Sequence, residues 1–312
     1  MSNNKYVIGV DLGGTNIRAA LVDKDGKVVD KAKEPTGEEP LSVLFKLLEP
    51  LYSANAQEVD GIGIAVAGLI DRDNGVVMRS PNIPKLDGVN LKSEIANRYN
   101  TRIIIENDAN AAAYGEKSSG AGKDVKNFVM FTLGTGIGTG IVFHDKLLPV
   151  AAEIGHMTIN ADGPQCPCGN VGCLELYASA TAIIGNTIAE LEKGNSSILK
   201  DFNNGNFYKV KAVDIYNAAL EGDPLARNVL REAGKGLGLG IASVINIMSP
   251  DAIILTGGLM GAWNIYIESA IKEASKRALK ELYGKVQIIA STLGDDAGLI
   301  GAAHLILEQC RK

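Results

Sequence analysis

The 312-residue chain has three histidines and four cysteines, and one histidine and three of the cysteines fall between His156 and Cys173 in HMTINADGPQCPCGNVGCLE. Imidazole and thiolate are the donors that borderline and soft metal ions take; the alternative is a group of buried, unliganded thiols. Two glycine turns form a second candidate site. VDLGGTNIR lacks the Gly-Lys-Ser/Thr ending of a P-loop and is not GxGxxG. Gly13 and Gly14 permit a tight turn that lets backbone N–H groups approach an anion, and Thr15 and Asn16 add short polar side chains. Arg18 would add positive charge there, and Asp11 would suit a hydrated Mg²⁺ beside nucleotide phosphates. Taken singly, this turn is as well explained as a plain β-hairpin. The partner turn TLGTGIGTG, with Gly134, Thr135 and Gly136, favours a pair of phosphate turns. LTGG, with Gly257 and Gly258, is a third strand-to-glycine turn against which an adenine ring could lie, and alone it is weak.

A third candidate is IIIENDANAAAYG, where Asn107 and Asp108 stand at the change from an apolar strand to a helix. In open α/β sheets that end of a strand faces the ligand crevice. Asp108 can cap the helix, or it can act as a general base taking a hydroxyl proton while the oxygen attacks a phosphoryl group. These residues alone leave the two readings balanced.

The elements that would hold these residues alternate between apolar strand-like runs and helical periodicities, as in an α/β protein. KYVIGVD, GIGIAVAG, TRIIIEN, KNFVMFTLG, DAIILTGG and VQIIAS read as strands. IRAALVDKDGKVVDKA reads as a hairpin turning at Asp25-Gly26, and residues 174–247 as mostly helical around the polar stretch GNSSILKDFNNGN. DDAGLIGAAHLILEQC reads as a closing helix. The glycines of GKGLGLG lie inside a helix begun by Asp223-Pro224, and close helix packing explains them better than phosphate binding. The strand–turn–strand units around Leu12–Thr15 and Leu133–Gly136 form a weak internal repeat, which points to two related domains facing a cleft. A domain boundary is expected in SSGAGKDVK, near Gly120.

With 46% apolar and 21% charged residues and a formal charge of −5, the chain is of globular type and has no basic footprint for nucleic acid. The stretch FVMFTLGTGIGTGIVF has seven Gly or Thr among sixteen residues, too short and too polar for a membrane span. MSNNKYVIGVDLGG lacks the pattern of a signal peptide, and the few cysteines favour reduced thiols in the cytoplasm, with Cys310 a stray thiol.

DLGGTN, ENDANAA, TLGTGIGTG, EIGHM, CPCGNVGCLE and LTGG, in this order over essentially the whole chain, resemble the ROK family of sugar kinases and sugar-responsive repressors. EIGHM with CPCGNVGCLE is the most specific part, and among family members the chain is most similar to the ATP-dependent glucokinases. The resemblance implies the actin-like ATPase (ribonuclease H-like) fold, with two α/β domains flanking a cleft. Residues 1–119 and 298–312 would form the small domain, and 120–297 the large one with the zinc loop and ATP site. It implies that Asp108 is the catalytic base and that Gly68, Asn82, Asn107, Asp108, Glu153, His156 and Glu175 contact the sugar. ATP would be held at Asp11, Gly13, Gly14, Thr15, Asn16, Gly134, Thr135, Gly136, Gly257 and Gly258. His156, Cys166, Cys168 and Cys173 match the family's zinc ligands; such a closed four-ligand site is structural. The implied activity is phosphorylation of glucose at its 6-hydroxyl by MgATP, with no nucleic acid or membrane partner and a homodimeric state. The alternatives are a kinase for N-acetylglucosamine, mannose or fructose, and a non-catalytic sugar-binding regulator.

The chain departs from that pattern at LLPVAA, before EIGH. Related kinases carry a longer loop there, with Gly where Ala152 stands, so the lip of the sugar site is expected to differ. No helix-turn-helix precedes KYVIGVD, which counts against the repressor branch.

Overall fold

A computed structural model describes residues 6–311 and divides into two compact units. One holds the described residues up to Phe128, Gly140–Ala151 and the residues from Ser291 onward; the other holds Val129–Thr139 and Ala152–Ala290.

In the first unit β1 (Tyr6–Leu12), β2 (Asn16–Asp23) and β3 (Val28–Pro35) run antiparallel. The turn between β2 and β3 falls at Asp25-Gly26 as expected: the Asp23 carboxylate accepts the Asp25 and Lys27 N–H groups, each at 2.9 Å, and Gly26 has φ +85°. After α1 (Pro40–Ser53), β4 (Val59–Val66) pairs parallel with β1. The small hairpin of β5 (Leu69–Asp71) and β6 (Val76–Arg79) and the short helix α2 (Leu91–Ala96) lead to β7 (Arg102–Asn107). β7 completes the order β3-β2-β1-β4-β7 and runs directly into α3 (Asp108–Ser119). Alternate residues of β1 face opposite ways, so both faces need cover. Ile8, Val10 and Leu12 pack with Leu44 and Leu48 of α1, whereas Val7 packs with Leu299, Ala303 and Ile306 of the C-terminal helix Ala297–Arg311. That helix seats closely because glycines meet it: a Cβ on Gly63 would lie 1.9 Å from the Ala302 carbonyl oxygen.

The loop after α3, around Gly120, lies inside this unit. Glu116, fully buried on α3, accepts the Ala121 N–H at 2.6 Å, and Lys117 donates to the Lys123 and Val125 carbonyls at 3.0 Å each. Glu116 also accepts from Ser291 Oγ at 2.5 Å and from the Leu293 N–H at 2.9 Å, fastening the chain where it re-enters the unit.

The second sheet contains β8 (Phe128–Leu133), β9 (Ile137–Phe143), β11 (Ala252–Thr256) and β12 (Gln287–Ala290) in the order β9-β8-β11-β12. The two-residue strand β10 (Lys146–Leu147) folds back on the end of β9, across a turn in which His144 and Asp145 have positive φ. Between β10 and β11 come α4 (Glu175–Ala178), α5 (Ala180–Glu192), the distorted turn α6 (Phe202–Gly205), α7 (Ala212–Leu220) and α8 (Pro224–Met248). α9 (Glu268–Arg277) and α10 (Lys280–Tyr283) precede β12. α8 opens as expected, with Asp223 capping the Ala226 N–H at 2.8 Å and Pro224 in the first turn. Its glycines serve packing: a Cβ on Gly234 would lie 2.3 Å from the Tyr266 carbonyl oxygen, and one on Gly238 2.6 Å from that of Ala270. Among the described residues no helix is long and apolar enough to cross a membrane.

Candidate active site and metal centre

In the first unit the Gly13–Thr15 turn joins β1 to β2, closed by Gly13 N–H donating to the Asn16 carbonyl at 3.1 Å. Thr36 Oγ1 donates to the Gly13 carbonyl at 2.6 Å, while Gly14 and Thr15 stay exposed. Gly14 is required by its neighbour, since a Cβ there would lie 2.8 Å from that of Asn82. The turn therefore abuts the loop carrying Asn82. Arg18, expected to add charge at the turn, is engaged by two carboxylates. Its guanidinium bonds Asp11 and lies 3.4 Å from Asp296, because β2 places it directly opposite Asp11 in the sheet register. Burial raises the pKa of Asp11, and Arg18 opposes that rise.

The α3 N-terminus corrects one reading of Asp108. The cap is Asn107, whose Oδ1 accepts the Ala109 and Asn110 N–H groups at 2.9 and 3.0 Å. Asp108 occupies the first helical position, where its Oδ1 also accepts the Ala109 N–H at 2.9 Å. Asn107 Nδ2 donates to the Gly68 carbonyl at 2.9 Å, and Gly68 itself, at φ +141°, leaves no room for a side chain against the Arg79 carbonyl. Gly68, Asn107 and Asp108 are thus brought together, and Asp11 joins them through Gly298. A Cβ on Gly298 would sit 3.7 Å from the Asp11 carboxylate and 3.8 Å from the Asp108 carbonyl oxygen.

In the second unit Glu153, His156 and Glu175 gather around the start of β9. Glu175 accepts the Ile137 N–H at 2.7 Å and closes on Gly136, where a Cβ would lie 2.3 Å from its carboxylate. The turn Gly134–Gly136 is fixed further by Ala180 N–H donating to the Gly134 carbonyl at 2.9 Å and Thr181 Oγ1 to the Thr135 carbonyl at 2.8 Å. Gly257, at φ +102°, lies against the Leu133 backbone, so the third glycine turn adjoins the second. Desolvation raises the pKa of Glu153; His156 lowers it and Glu175 raises it again. Ala152 is left-handed at φ +50°, a conformation that favours glycine, and its carbonyl accepts from Thr139 Oγ1 and from the Ile154 N–H.

The ligand atoms of His156, Cys166, Cys168 and Cys173 all lie within 4.8 Å of one another, so the cluster could hold a metal ion. Cys168 Sγ and Cys173 Sγ are 3.7 Å apart, close to the ~3.8 Å edge of a tetrahedron with metal–sulfur bonds of about 2.3 Å. His156 turns Nδ1 to the cluster, 3.9 Å from Cys166 Sγ. Gly169 and Gly172, at φ +98° and +64°, make the reversals that the loop needs. A hydrogen bond from Asn170 Nδ2 to the His156 carbonyl at 3.1 Å holds the two ends of the loop together.

Behind the Asn107-Asp108 corner, Glu106 bonds the Asn107 N–H and Asn110 and pairs with Arg72, a cluster that sequence reasoning missed. Glu106 ends the apolar run Ile103–Ile105 and opens the polar triplet Glu106-Asn107-Asp108, where a charged residue is ordinary, and its partner Arg72 lies 34 residues away.

The family model described as "ROK family" matches residues 7–309. A glucokinase of Thermotoga maritima is 37% identical over 97% of this chain and 98% of its own length. A xylose repressor of Bacillus subtilis is 33% identical over 97% of this chain but 77% of its own length. The structure of a ROK family glucokinase from Streptomyces griseus, in complex with glucose and AMPPNP, superposes with a TM-score of 0.82 at 33% identity, covering 96% of this chain and 98% of that one. The α/β architecture is accordingly the actin-like ATPase fold of the ROK sugar kinases, and the chain belongs to the ROK family.

Proposed function

We propose that the protein transfers the γ-phosphoryl group of ATP to the 6-hydroxyl of glucose. The observation that carries this reading is the Asn107-Asp108 corner: Asn107 does the capping, so an acidic residue at 108 is not required for that task. Near-full-length likeness to glucokinases supports the choice of sugar. As O6 attacks the phosphorus, the Asp108 carboxylate accepts the hydroxyl proton, an effect typically worth about 10²–10⁴-fold. Gly68, Asn82, Asn107, Glu153, His156 and Glu175 satisfy the sugar hydroxyls, and a site built of paired polar groups rejects molecules that leave them unpaired. The Gly13 and Gly134 N–H groups close their own turns, so the N–H groups of Gly14, Thr15, Thr135 and Gly136 hold the phosphates, with Asn16 beside them and Gly257 and Gly258 along the adenine. Asp11 offers Mg²⁺ the hard oxygen donor it takes, and the bound ion supplies charge neutralisation at the phosphates. Three thiolates and one imidazole suit Zn²⁺, which would order the loop leading to Glu175 without entering the chemistry. The active form is a homodimer.

The test is Asp108→Asn, which keeps the side chain's shape and loses its capacity to take a proton. Both kcat and kcat/KM should fall by at least about 10²-fold, with thermal stability and glucose affinity retained. Near-normal turnover of the folded variant removes Asp108 as base. An ADP-release assay across hexoses should place glucose first in kcat/KM; a preference for N-acetylglucosamine or fructose overturns the sugar assignment. The likeness to a xylose repressor keeps a sugar-binding regulator as the second reading, and ATP-dependent release of sugar phosphate separates the two.

A further inference from the structure

Glu106, the last residue before the Asn107-Asp108 corner, is 1% exposed. Its Oε1 accepts the Asn107 N–H at 3.0 Å and Asn110 Nδ2 at 3.1 Å, and its Oε2 lies 2.5 Å from Nη2 of Arg72. Asn110, also 1% exposed, gives its other amide hydrogen to the Val150 carbonyl at 3.0 Å. Three buried polar atoms here have no aligned hydrogen bond: Arg72 Nη1, Glu106 Oε2 and Asn110 Oδ1. Such an arrangement adds little to stability, because desolvation of a buried ion pair offsets much of its attraction and an apolar replacement often does as well. Burial indeed pushes the Glu106 pKa up. What the carboxylate does achieve is geometric, since its Oε1 ties the residue before Asp108 to the residue two places after it.

We infer that Glu106 is a positioning residue for phosphoryl transfer, holding Asn107 and Asn110 through Oε1 so that the Asp108 carboxylate is aimed at the attacking hydroxyl. The inference rests on Asp108 being the base. Displacement of a reacting group by about 1 Å can cost on the order of 10²-fold in rate while leaving ground-state binding intact.

The experiment compares Glu106→Ala, Glu106→Gln/Arg72→Leu, Asp108→Asn and Asp108→Asn/Glu106→Ala in kcat, KM for glucose and thermal midpoint. Glu106→Ala should lower kcat by about 30- to 100-fold with KM within about threefold. Glu106→Gln, made together with Arg72→Leu so that its amide NH2 faces no guanidinium, retains an acceptor at Oε1 and should recover kcat to within about fivefold of the parent protein. In the Asp108→Asn background, Glu106→Ala should change kcat by less than about twofold, because its effect runs through Asp108. Parental kcat in folded Glu106→Ala, a Gln variant no better than Ala, or a full additional loss in Asp108→Asn/Glu106→Ala each overturns the inference. Should Glu106→Ala not fold, Asn110→Ala removes one of the two Oε1 donors. It should cost kcat about 10-fold at near-constant KM, and unchanged kcat overturns the inference equally. If Asp108→Asn itself turns over normally, the base assignment fails. If only the Glu106 variants are silent, that assignment stands without the positioning role.

Discussion

Ala152 carries a local conflict between residue type and backbone. At φ +50° its Cβ crowds the adjacent carbonyl, a cost of roughly 1–2 kcal/mol for a residue other than glycine. The conformation persists because the Ala152 carbonyl takes two hydrogen bonds, from Thr139 Oγ1 and the Ile154 N–H, directly before Glu153. Ala152→Gly should therefore stabilise the protein by about 0.5–1 kcal/mol, the relieved strain exceeding the added freedom of the unfolded chain. Denaturant titration should show a higher midpoint at unchanged slope; a lower midpoint would mean that the left-handed backbone carries no strain. The short LLPVAA segment thus ends in a left-handed turn without the glycine that makes such a turn easily.

Among the elements, α8 and the cysteine loop depend most on single residues. Alanine ordinarily stabilises a helix interior relative to glycine by about 1 kcal/mol. At Gly185, in α5, nothing lies within 4 Å of an added Cβ, so Gly185→Ala should show that gain. At Gly238 the Cβ would lie 2.6 Å from a backbone oxygen that cannot turn away, so Gly238→Ala should instead cost about 1–3 kcal/mol through displacement of α9. Thermal midpoints moving in opposite directions for the two variants would bear this out. For the loop, we expect about one Zn²⁺ per chain. Cys168→Ala should lose it together with glucose binding, and hydrogen exchange should rise over residues 156–175. A metal-free protein with full activity and unchanged exchange would remove the metal from the account.

At the scale of the whole molecule, the proposed sugar contacts should couple glucose binding to the stability of the fold. Ligand that binds only the folded protein stabilises it by mass action, by about 2.7 kcal/mol at a hundred times Kd. Glucose should therefore raise the thermal midpoint in a concentration-dependent way, and either Asn82→Ala or Glu175→Ala should remove the shift. A shift that survives a substitution would remove that residue from the proposed sugar contacts.

Much of this was determined by the sequence by itself, wherever the determining groups lie within a few residues of one another. The apolar runs of β1, β4 and β7, the hairpin at Asp25-Gly26, the Asp223-Pro224 helix start and the spacing from His156 to Cys173 are of this kind. Strand period, turn chemistry and ligand spacing act over short segments, so they can be read from them. The glycines of α8 could be assigned to packing, but their partners on Tyr266 and Ala270 could not. Tertiary structure alone decided that Arg18 turns to Asp296, 278 residues away, and that Arg72 meets Glu106. Such pairings depend on strand register and on which buried charge finds an opposite one. Both are consequences of the assembled core, since a charge inside it must find its partner wherever the chain places one.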